Sequence, residues 1–311
     1  MTRITYLSII IIFSALFIAG CAAGENNGLY IKTSSDKLVL CGWDEVFIID
    51  TGRKNQQRPV KLWSWKAQDS SELPERLTGL FGTTDECKVV DGGRKILITA
   101  SSGGIALVEV KSKKVLFYAV AANAHSAEIL PGGRVAVAVS NAPDGNRLIL
   151  YDLSNPEKEL FSDSLPWGHG VIWDEERQVL WALAGDDIRA YGLKDWSSSQ
   201  PALERIVMVK LPEEMGHDLY PLPRTNKLFV TTDNFVWLFD RDKRTFQKYE
   251  AIDNTFHVKS VCVNPVTGQL VYIRADEGQW WSEKIRFQNP DSVIFIPGQH
   301  FYKARWFTTQ R

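Results

Sequence analysis

Short apolar runs follow one another along almost the whole chain after residue 36. Examples are KLVLCG, EVFIID, KILITA, RVAVAVS, KLFVTT and QLVYIRA, which are rich in β-branched and aromatic residues and are bounded by Gly, Asn, Asp or Pro. Such runs are typical of β-strands. No segment keeps apolar residues at the helical period of about 3.6 over several turns. The pattern therefore predicts an all-β chain.

The runs repeat with a period of roughly 40 residues. Five segments share one shape, in which a short strand, a turn and a longer strand precede two further strands: CKVVDGGRKILITA, AEILPGGRVAVAVS, VIWDEERQVLWALA, YPLPRTNKLFVTT and VCVNPVTGQLVYIRA. They start near Asp85, His125, His169, His217 and His257, at spacings of 40, 44, 48 and 40 residues. Four strands at this period are the signature of one blade of a β-propeller.

The two ends of the chain supply a sixth blade. Residues 37–68 contain three strands without an innermost one, and residues 300–307 (HFYKARWF) form a lone strand. Their pairing removes two exposed sheet edges. We therefore predict a single domain over residues 36–311, a six-bladed β-propeller closed by pairing the C-terminal strand with the N-terminal blade. Seven blades are the alternative, with an extra blade within residues 22–84.

The first 20 residues have the features of a lipoprotein signal peptide. Arg3 precedes an apolar run over residues 6–18, which is shorter than the ~20 residues of a membrane-spanning helix. Residues 18–21 (IAGC) resemble the bacterial lipobox. This resemblance implies a lipidated Cys21, a polar leash over residues 21–35, and a location in the cell envelope, at the outer membrane of a Gram-negative bacterium. An ordinary cleaved signal peptide is the alternative.

The amino-acid composition limits the kinds of binding partner that we expect. The 311 residues include 36 Lys plus Arg against 37 Asp plus Glu, and 44% are hydrophobic, which is enough for a sizeable core. Because no basic stripe is present, nucleic acid is not an expected partner, and contact with a membrane is expected through the lipid anchor only. Cys41, Cys87 and Cys262 lie in strand patterns and are predicted to be core residues, although one disulfide among them stays open.

The five histidines are the main candidate functional residues. Positions 125, 169, 217, 257 and 300 all lie near the start of a predicted innermost strand. Because these strands begin at one face of a propeller, ring closure should gather the imidazoles at one channel mouth. Such a cluster can bind one divalent metal (Mn, Zn, Ni or Fe) or act as a general base. We name His125, His169 and His217 as candidate catalytic and metal-binding residues, and His257 as a further metal ligand. Histidines that bind neighbouring backbone are the alternative.

Other side chains near the mouth could bind a ligand. The inner strands carry acids, bases and a tyrosine, and two hairpins carry tryptophans: Asp85, Lys88, Glu128, Lys259, Tyr302, Arg305, Trp43 and Trp280. A carboxylated sugar such as a uronic acid would satisfy the cations and imidazoles together, and tryptophan faces can stack on sugar rings. An internal salt-bridge network is the alternative reading of the charged residues.

Two resemblances agree with this chemistry. The lipobox and whole-chain propeller resemble uncharacterised β-propeller lipoproteins of Bacteroidetes polysaccharide-utilisation systems. The segments NAHSAE, WGHGV, MGHDL and TFHVK resemble the channel mouth of oligogalacturonate lyases, seven-bladed propellers that hold a divalent metal with histidines and a glutamine. The second resemblance implies metal ligands at His125, His169 and His217, with Arg305 or a lysine as the proton-abstracting base. The glutamine has no counterpart here.

The sequence therefore leaves three functions as alternatives. The first is an exported lipoprotein that acts on or recognises an acidic oligosaccharide or polysaccharide, as a metal-dependent lyase or a hydrolase. The second is a non-catalytic glycan- or metal-binding accessory protein. The third is an interaction scaffold for other envelope proteins, because a propeller fold does not imply a particular function. No G-x-S-x-G or P-loop motif is present.

Overall fold

A computed structural model describes residues 31–52, 59–253 and 255–309. The predicted signal peptide and Cys21 lie outside these residues. The described chain forms six antiparallel sheets of four strands each, arranged as a six-bladed β-propeller, as the sequence predicted. None of its helices reaches the length and hydropathy of a membrane span.

Each blade is one sheet. Blade one contains β24 (Lys303–Trp306), β1 (Lys37–Gly42), β2 (Glu45–Asp50) and β3 (Val60–Trp65). Blade two contains β4 (Thr84–Val90), β5 (Lys95–Ala100), β6 (Gly104–Glu109) and β7 (Val115–Val120). Blade three contains β8 (Ala124–Leu130), β9 (Arg134–Val139), β10 (Arg147–Asp152) and β11 (Asn155–Ser164).

The second half of the ring follows the same plan. Blade four contains β12 (Gly170–Asp174), β13 (Val179–Leu183), β14 (Asp187–Lys194) and β15 (Ala202–Lys210). Blade five contains β16 (Asp218–Pro221), β17 (Lys227–Thr231), β18 (Val236–Asp240) and β19 (Thr245–Lys248). Blade six contains β20 (Val258–Val263), β21 (Leu270–Arg274), β22 (Lys284–Gln288) and β23 (Ser292–Phe295).

The C-terminal strand closes the ring. β24 pairs with β1 in antiparallel register from Leu38 opposite Trp306 to Cys41 opposite Lys303. The innermost strands β4, β8, β12, β16, β20 and β24 then contact one another in cyclic order around the channel. This confirms the predicted closure.

The segment before β4 is helical rather than a seventh blade. It contains a 3₁₀ turn at Ala67–Asp69, the short α-helix α1 at Glu75–Thr78 and a 3₁₀ turn at Gly79–Phe81. The packed chain also begins earlier than the predicted boundary at residue 36. Ile31 is buried, and the backbone N–H of Ser34 donates to the carbonyl of Phe307 at 3.0 Å. Residues 31–35, which the sequence assigned to the leash, therefore pack against blade one.

The hydrophobic core lies between adjacent blades. Central strands are buried on both faces because each sheet is covered by its two neighbours, which explains their nearly continuous apolar runs. Cys41 and Cys87 belong to the cluster between blades one and two, and Cys262 belongs to another cluster. All three are buried free thiols, in agreement with their predicted core positions.

Candidate functional site

Each of the six blades contributes at least one polar side chain to a single pocket at the channel mouth. In ring order these residues, which we call the mouth ring, are Tyr302 (blade one), Asp85 (two), His125 (three), His169 (four), His217 (five) and Lys259 (six). They come from separate repeats of the sequence. The ring closure described above is what brings them together.

Three of the mouth-ring residues are the extra residues of β-bulges. Asp85 lies between Thr84 and Glu86, which pair with the adjacent residues Ala100 and Thr99. His125 and Lys259 are skipped in the same way in β8 and β20. A bulge leaves its extra residue outside the ladder and redirects the side chain. It therefore gives three different blades the same means of aiming a polar group at the mouth.

Each of the other three mouth-ring residues directly precedes an innermost strand, and its backbone N–H is hydrogen-bonded to the neighbouring strand of the same blade. The N–H of His169 donates to Leu183 at 3.0 Å, and the N–H of His217 donates to Thr231 at 2.8 Å. The N–H of Tyr302 donates to Cys41 at 3.0 Å. The positions of these side chains are therefore fixed by the sheet rather than by flexible loops.

The pocket that they enclose has a volume of about 300 Å³. Ser101, Asn123 and Trp280 complete its wall. Trp280 is 40% exposed, packs edge-on against Tyr302 with centroids 5.6 Å apart, and stacks on Trp43 at 5.2 Å. The volume is at the lower end for small-molecule sites. A ligand of one or two rings is the appropriate size.

The three histidines form a row of neutral imidazoles. Ring centroids are 4.4 Å apart for His125 and His169, and 5.4 Å apart for His169 and His217. Burial lowers the pKa of His125 to about 3 and lowers that of His169 well below its ordinary value. Burial also lowers the pKa of His217, although Asp233 partly opposes this effect. The row is therefore uncharged near neutral pH.

Hydrogen bonds define the tautomer of each ring. Nδ1 of His125 lies 3.1 Å from the carbonyl of Asn123, and Nδ1 of His169 lies 2.8 Å from that of Trp167. Because a carbonyl only accepts, both Nδ1 atoms carry the proton, and both Nε2 atoms keep a lone pair. In His217 the assignment is reversed, because Nε2 donates to Asp233 at 2.8 Å and the buried Nδ1 has no partner in the described chain.

Lys259 and Asp233 contact the same ring nitrogen of His217. The Nζ atom of Lys259 lies 3.0 Å from Nε2 of His217, and the N–H at this Nε2 donates a hydrogen bond to Asp233. Burial lowers the pKa of Lys259, and the hydrogen bond from His217 lowers that of Asp233 to about 2. An uncharged Lys259 amine can accept from the same N–H. An incoming anion would favour the charged ammonium instead.

Asp85 is the carboxyl group inside the pocket. Burial raises its pKa to about 7, although its Oδ2 accepts a hydrogen bond from the N–H of Ser101. Burial also raises the pKa of Tyr302 well above its ordinary value. Near neutral pH, both groups can therefore donate a hydrogen bond to a ligand. Groups with such perturbed pKa values are concentrated at functional sites.

A buried ion cluster lies directly beneath the mouth ring. It consists of Glu86, Asp218, Lys303 and Arg305, all with fully buried side chains. Arg305 contacts Asp218 at 2.6 Å and Glu86 at 3.0 Å, while Lys303 lies 3.0 Å from Asp218. Burial alone would raise the pKa of Glu86, but the Arg305 and Lys303 charges lower it below its ordinary value. Two acids and two bases balance, so the cluster is neutral as a unit.

Comparison with known sequences assigns the chain to a family. A family model described as "Family of unknown function (DUF6528)" matches residues 5–310, which is almost the entire sequence. The chain belongs to this family. A search of curated proteins found no significant match to the DUF6528 chain.

Solved structures resemble the DUF6528 chain in fold. One chain from "Crystal Structure of Mitotic Checkpoint Complex" aligns with a TM-score of 0.53 and 14% sequence identity, covering 77% of this chain and 68% of the other. At this level of identity the similarity concerns the propeller fold alone. It carries no information about the pocket.

The DUF6528 structure separates the sequence-predicted site residues into two groups. Those that line the mouth pocket are Asp85, His125, His169, His217, Lys259, Tyr302 and Trp280. The others lie around or beneath it: Arg305 in the ion cluster, Lys88 paired with Glu128 at 3.3 Å and with the carbonyl of Val171, His257 in a neighbouring groove, and Trp43 behind Trp280. The internal salt-bridge alternative therefore describes Lys88, Glu128 and Arg305. Cys21 lies outside the described residues.

Three residues of the DUF6528 site were missed in the sequence. Ser101 and Asn123 line the pocket, and Asp233 orients His217. Ser101 and Asp233 follow second strands, in the hairpin loops that open at the mouth, so their position alone was an available signal. Asn123 lies two residues before His125. Its backbone carbonyl, which no side-chain pattern reveals, fixes the tautomer of that histidine.

Proposed function

We propose that the mouth pocket binds one small acidic carbohydrate unit, of the uronic-acid class. The observation that carries this proposal is the convergence of the six mouth-ring side chains, one from each blade, on one pocket that also contains the partly exposed Trp280. Small-ligand sites combine apolar or aromatic walls with a few fixed polar groups. Here the polar groups include the Lys259 amine, neutral imidazoles and a carboxyl group whose pKa is about 7.

Each feature of a uronic acid has a counterpart in the pocket. Its carboxylate would pair with the Lys259 ammonium, and charge-assisted hydrogen bonds of this kind are the strong ones. The protonated form of Asp85 can donate to a sugar oxygen instead of repelling the carboxylate. The apolar C–H face of the sugar would lie on Trp280, whose opposite face is supported by Trp43.

Replacement of Lys259 by methionine tests this function. Met keeps the length and apolar stem of the side chain but removes the cation, so we expect D-galacturonate affinity to fall by about ten- to a hundredfold. Isothermal titration calorimetry measures the effect. Lys243→Met, at an exposed lysine in blade five, is the matched control and should bind as the unaltered chain does. Equal affinities for all three proteins would contradict the proposal. Product release during the titration would add lyase or hydrolase activity to binding.

A divalent metal is a second candidate ligand of the same pocket, favoured by the histidine tautomers. Metal-binding histidines usually donate their other ring N–H to a carbonyl or carboxylate. His125 and His169 do so to carbonyls, and His217 does so to Asp233. In the described chain, however, no three donor side chains are already gathered in a metal-binding arrangement. Rotation of the imidazoles would therefore have to accompany binding of Zn, Mn, Ni or Fe.

Equilibrium dialysis against Zn²⁺ alone tests this second candidate. If the imidazole row holds the ion, we expect about one equivalent per chain, and we expect His169→Gln to lower the affinity at least tenfold because it removes the central ligand. His300→Gln is the control, because His300 packs against Trp43 and Trp281 outside the pocket. No uptake, or equal uptake by both variants, would rule out the metal site.

A further inference from the structure

A second cavity lies beside the mouth pocket, and we call it the blade-six groove. It has a volume of about 500 Å³ and is lined by Phe256, His257, Arg274 and residues 275–279. Phe256 and His257 precede β20, and Arg274 is the last residue of β21, from which residues 275–279 lead toward β22. The groove is therefore built on the blade that also supplies Lys259 and Trp280 to the mouth pocket.

Neighbouring residues of the chain line the groove and the mouth pocket. Gln279 of the groove is followed by Trp280 of the pocket. Asp233 connects them on the other side, because its Oδ1 lies 2.8 Å from Nε2 of His217 and 3.6 Å from Nδ1 of His257. A molecule that reaches from the pocket past Trp280 would therefore meet the groove.

The chemistry of the groove differs from that of the pocket. Phe256 is 43% exposed and offers an aromatic face. Arg274 and Glu277 are exposed, and within the described ranges neither has an ion-pair partner, whereas Asp276 faces Lys284 and Arg286 at 3.8 and 3.7 Å. One unpaired cation and one unpaired carboxylate leave no net charge. Together with the Gln279 amide they form a mixed set of donors and acceptors.

We propose that the blade-six groove is a subsite for a neutral sugar joined to the acidic unit in the mouth pocket. This inference rests on the proposed function of the pocket. Hydroxyl groups both donate and accept, so a neutral sugar satisfies the mixed polar set, and its apolar face packs on Phe256. A second carboxylate in the groove would meet Arg274 but also Asp276 and Glu277, so it would gain no net attraction there. The ligand is therefore an oligosaccharide in which an acidic unit is followed by an uncharged one.

Three probes test this assignment by calorimetry: D-galacturonate, galacturonosyl-rhamnose and digalacturonate. We expect the mixed disaccharide to bind about tenfold more tightly than the free acid, because it adds one stacking contact and several hydrogen bonds. We expect digalacturonate to gain less, and Glu277→Gln to narrow the difference between the two disaccharides.

Phe256→Ala should abolish the gain of the mixed disaccharide while leaving the affinity for free galacturonate unchanged. Phe295→Ala is the matched control, because Phe295 is 50% exposed on the outer strand of the same blade. If galacturonate binds but the mixed disaccharide gains nothing, the groove assignment fails and the proposed function stands. If digalacturonate binds most tightly, the neutral subsite is wrong. If none of the three probes binds, the proposed function fails and the groove assignment fails with it.

Discussion

Replacing Arg305 by methionine is expected to destabilise the protein by about 3–5 kcal/mol. Arg305 is fully buried and contacts both carboxylates of the ion cluster. Its removal leaves Lys303 as the single cation of that cluster against Glu86 and Asp218, and the excess negative charge is buried away from solvent. Removing one partner of a buried ion pair is costly for this reason, even where the intact pair contributes little net stability. Urea-induced unfolding measures the change.

Arg147→Met is the matched control for this prediction. Arg147 also pairs with a carboxylate through two nitrogens, at 3.0 and 3.2 Å from Glu159, but both side chains are about one-third exposed. Exposed pairs contribute at most about 1 kcal/mol. Adding Glu86→Gln to Arg305→Met should recover part of the loss, because the added change removes one uncompensated charge. If Arg305→Met and Arg147→Met cost the same, the ion cluster is not what holds the centre of the ring together.

The stability of the protein is expected to fall steeply with acidification below about pH 6.5, and His169→Gln should reduce this slope by about 1.4 kcal/mol per pH unit. Burial holds the pKa of His169 well below 6.5 in the folded chain. As the pH falls through 6.5, the unfolded chain takes up a proton at this residue and the folded chain does not. The unfolded state is then favoured. Glutamine cannot titrate, so the variant lacks this contribution whatever its stability at neutral pH.

Asp85 has the opposite effect on the pH dependence of stability and provides the control. Burial raises its pKa from 3.8 to about 7, so between these values the folded chain binds the proton and the unfolded chain does not. This residue therefore favours folding as the pH falls, and Asp85→Asn should make the acid slope steeper by about 1.4 kcal/mol per pH unit. Unfolding free energies at about pH 7, 6 and 5 give all three slopes. Identical slopes in the three proteins would show that neither residue has the burial described above.

The fold was predictable because each repeat can be recognised from the local pattern of strand and turn residues. Each blade carries its own turn and its own β-branched strands, and the need to pair the edges of β1 and β24 dictates closure. The roles of the charged side chains on the innermost strands were harder to predict. Lys88, Glu128 and Arg305 are identifiable as charged residues on inner strands, but alternation along a strand could not decide between a ligand and an internal partner.

The site was predictable in part, with errors of register in blades six and one. Spacing placed His257 as the blade-six member of the ring, whereas the structure places Lys259 there through a bulge. In blade one the corresponding residue is Tyr302 rather than His300, which packs on Trp281 at 3.7 Å. In blade six the bulge redirects the side chain without any requirement on residue type, whereas in blade one Tyr302 directly precedes β24, which pairs with β1 in regular register. Sequence spacing therefore finds the mouth but not which residue within two positions faces it.

The central claim is that the mouth ring is a binding site for an acidic sugar. Calorimetric titration of the unaltered protein with D-galacturonate and with D-galactose at about pH 7 tests it most directly, because the two sugars differ only at the carboxylate carbon. We predict one site for galacturonate, with galactose at least tenfold weaker through loss of the Lys259 pairing. Equal affinity for both sugars, or no heat from either, would contradict the claim.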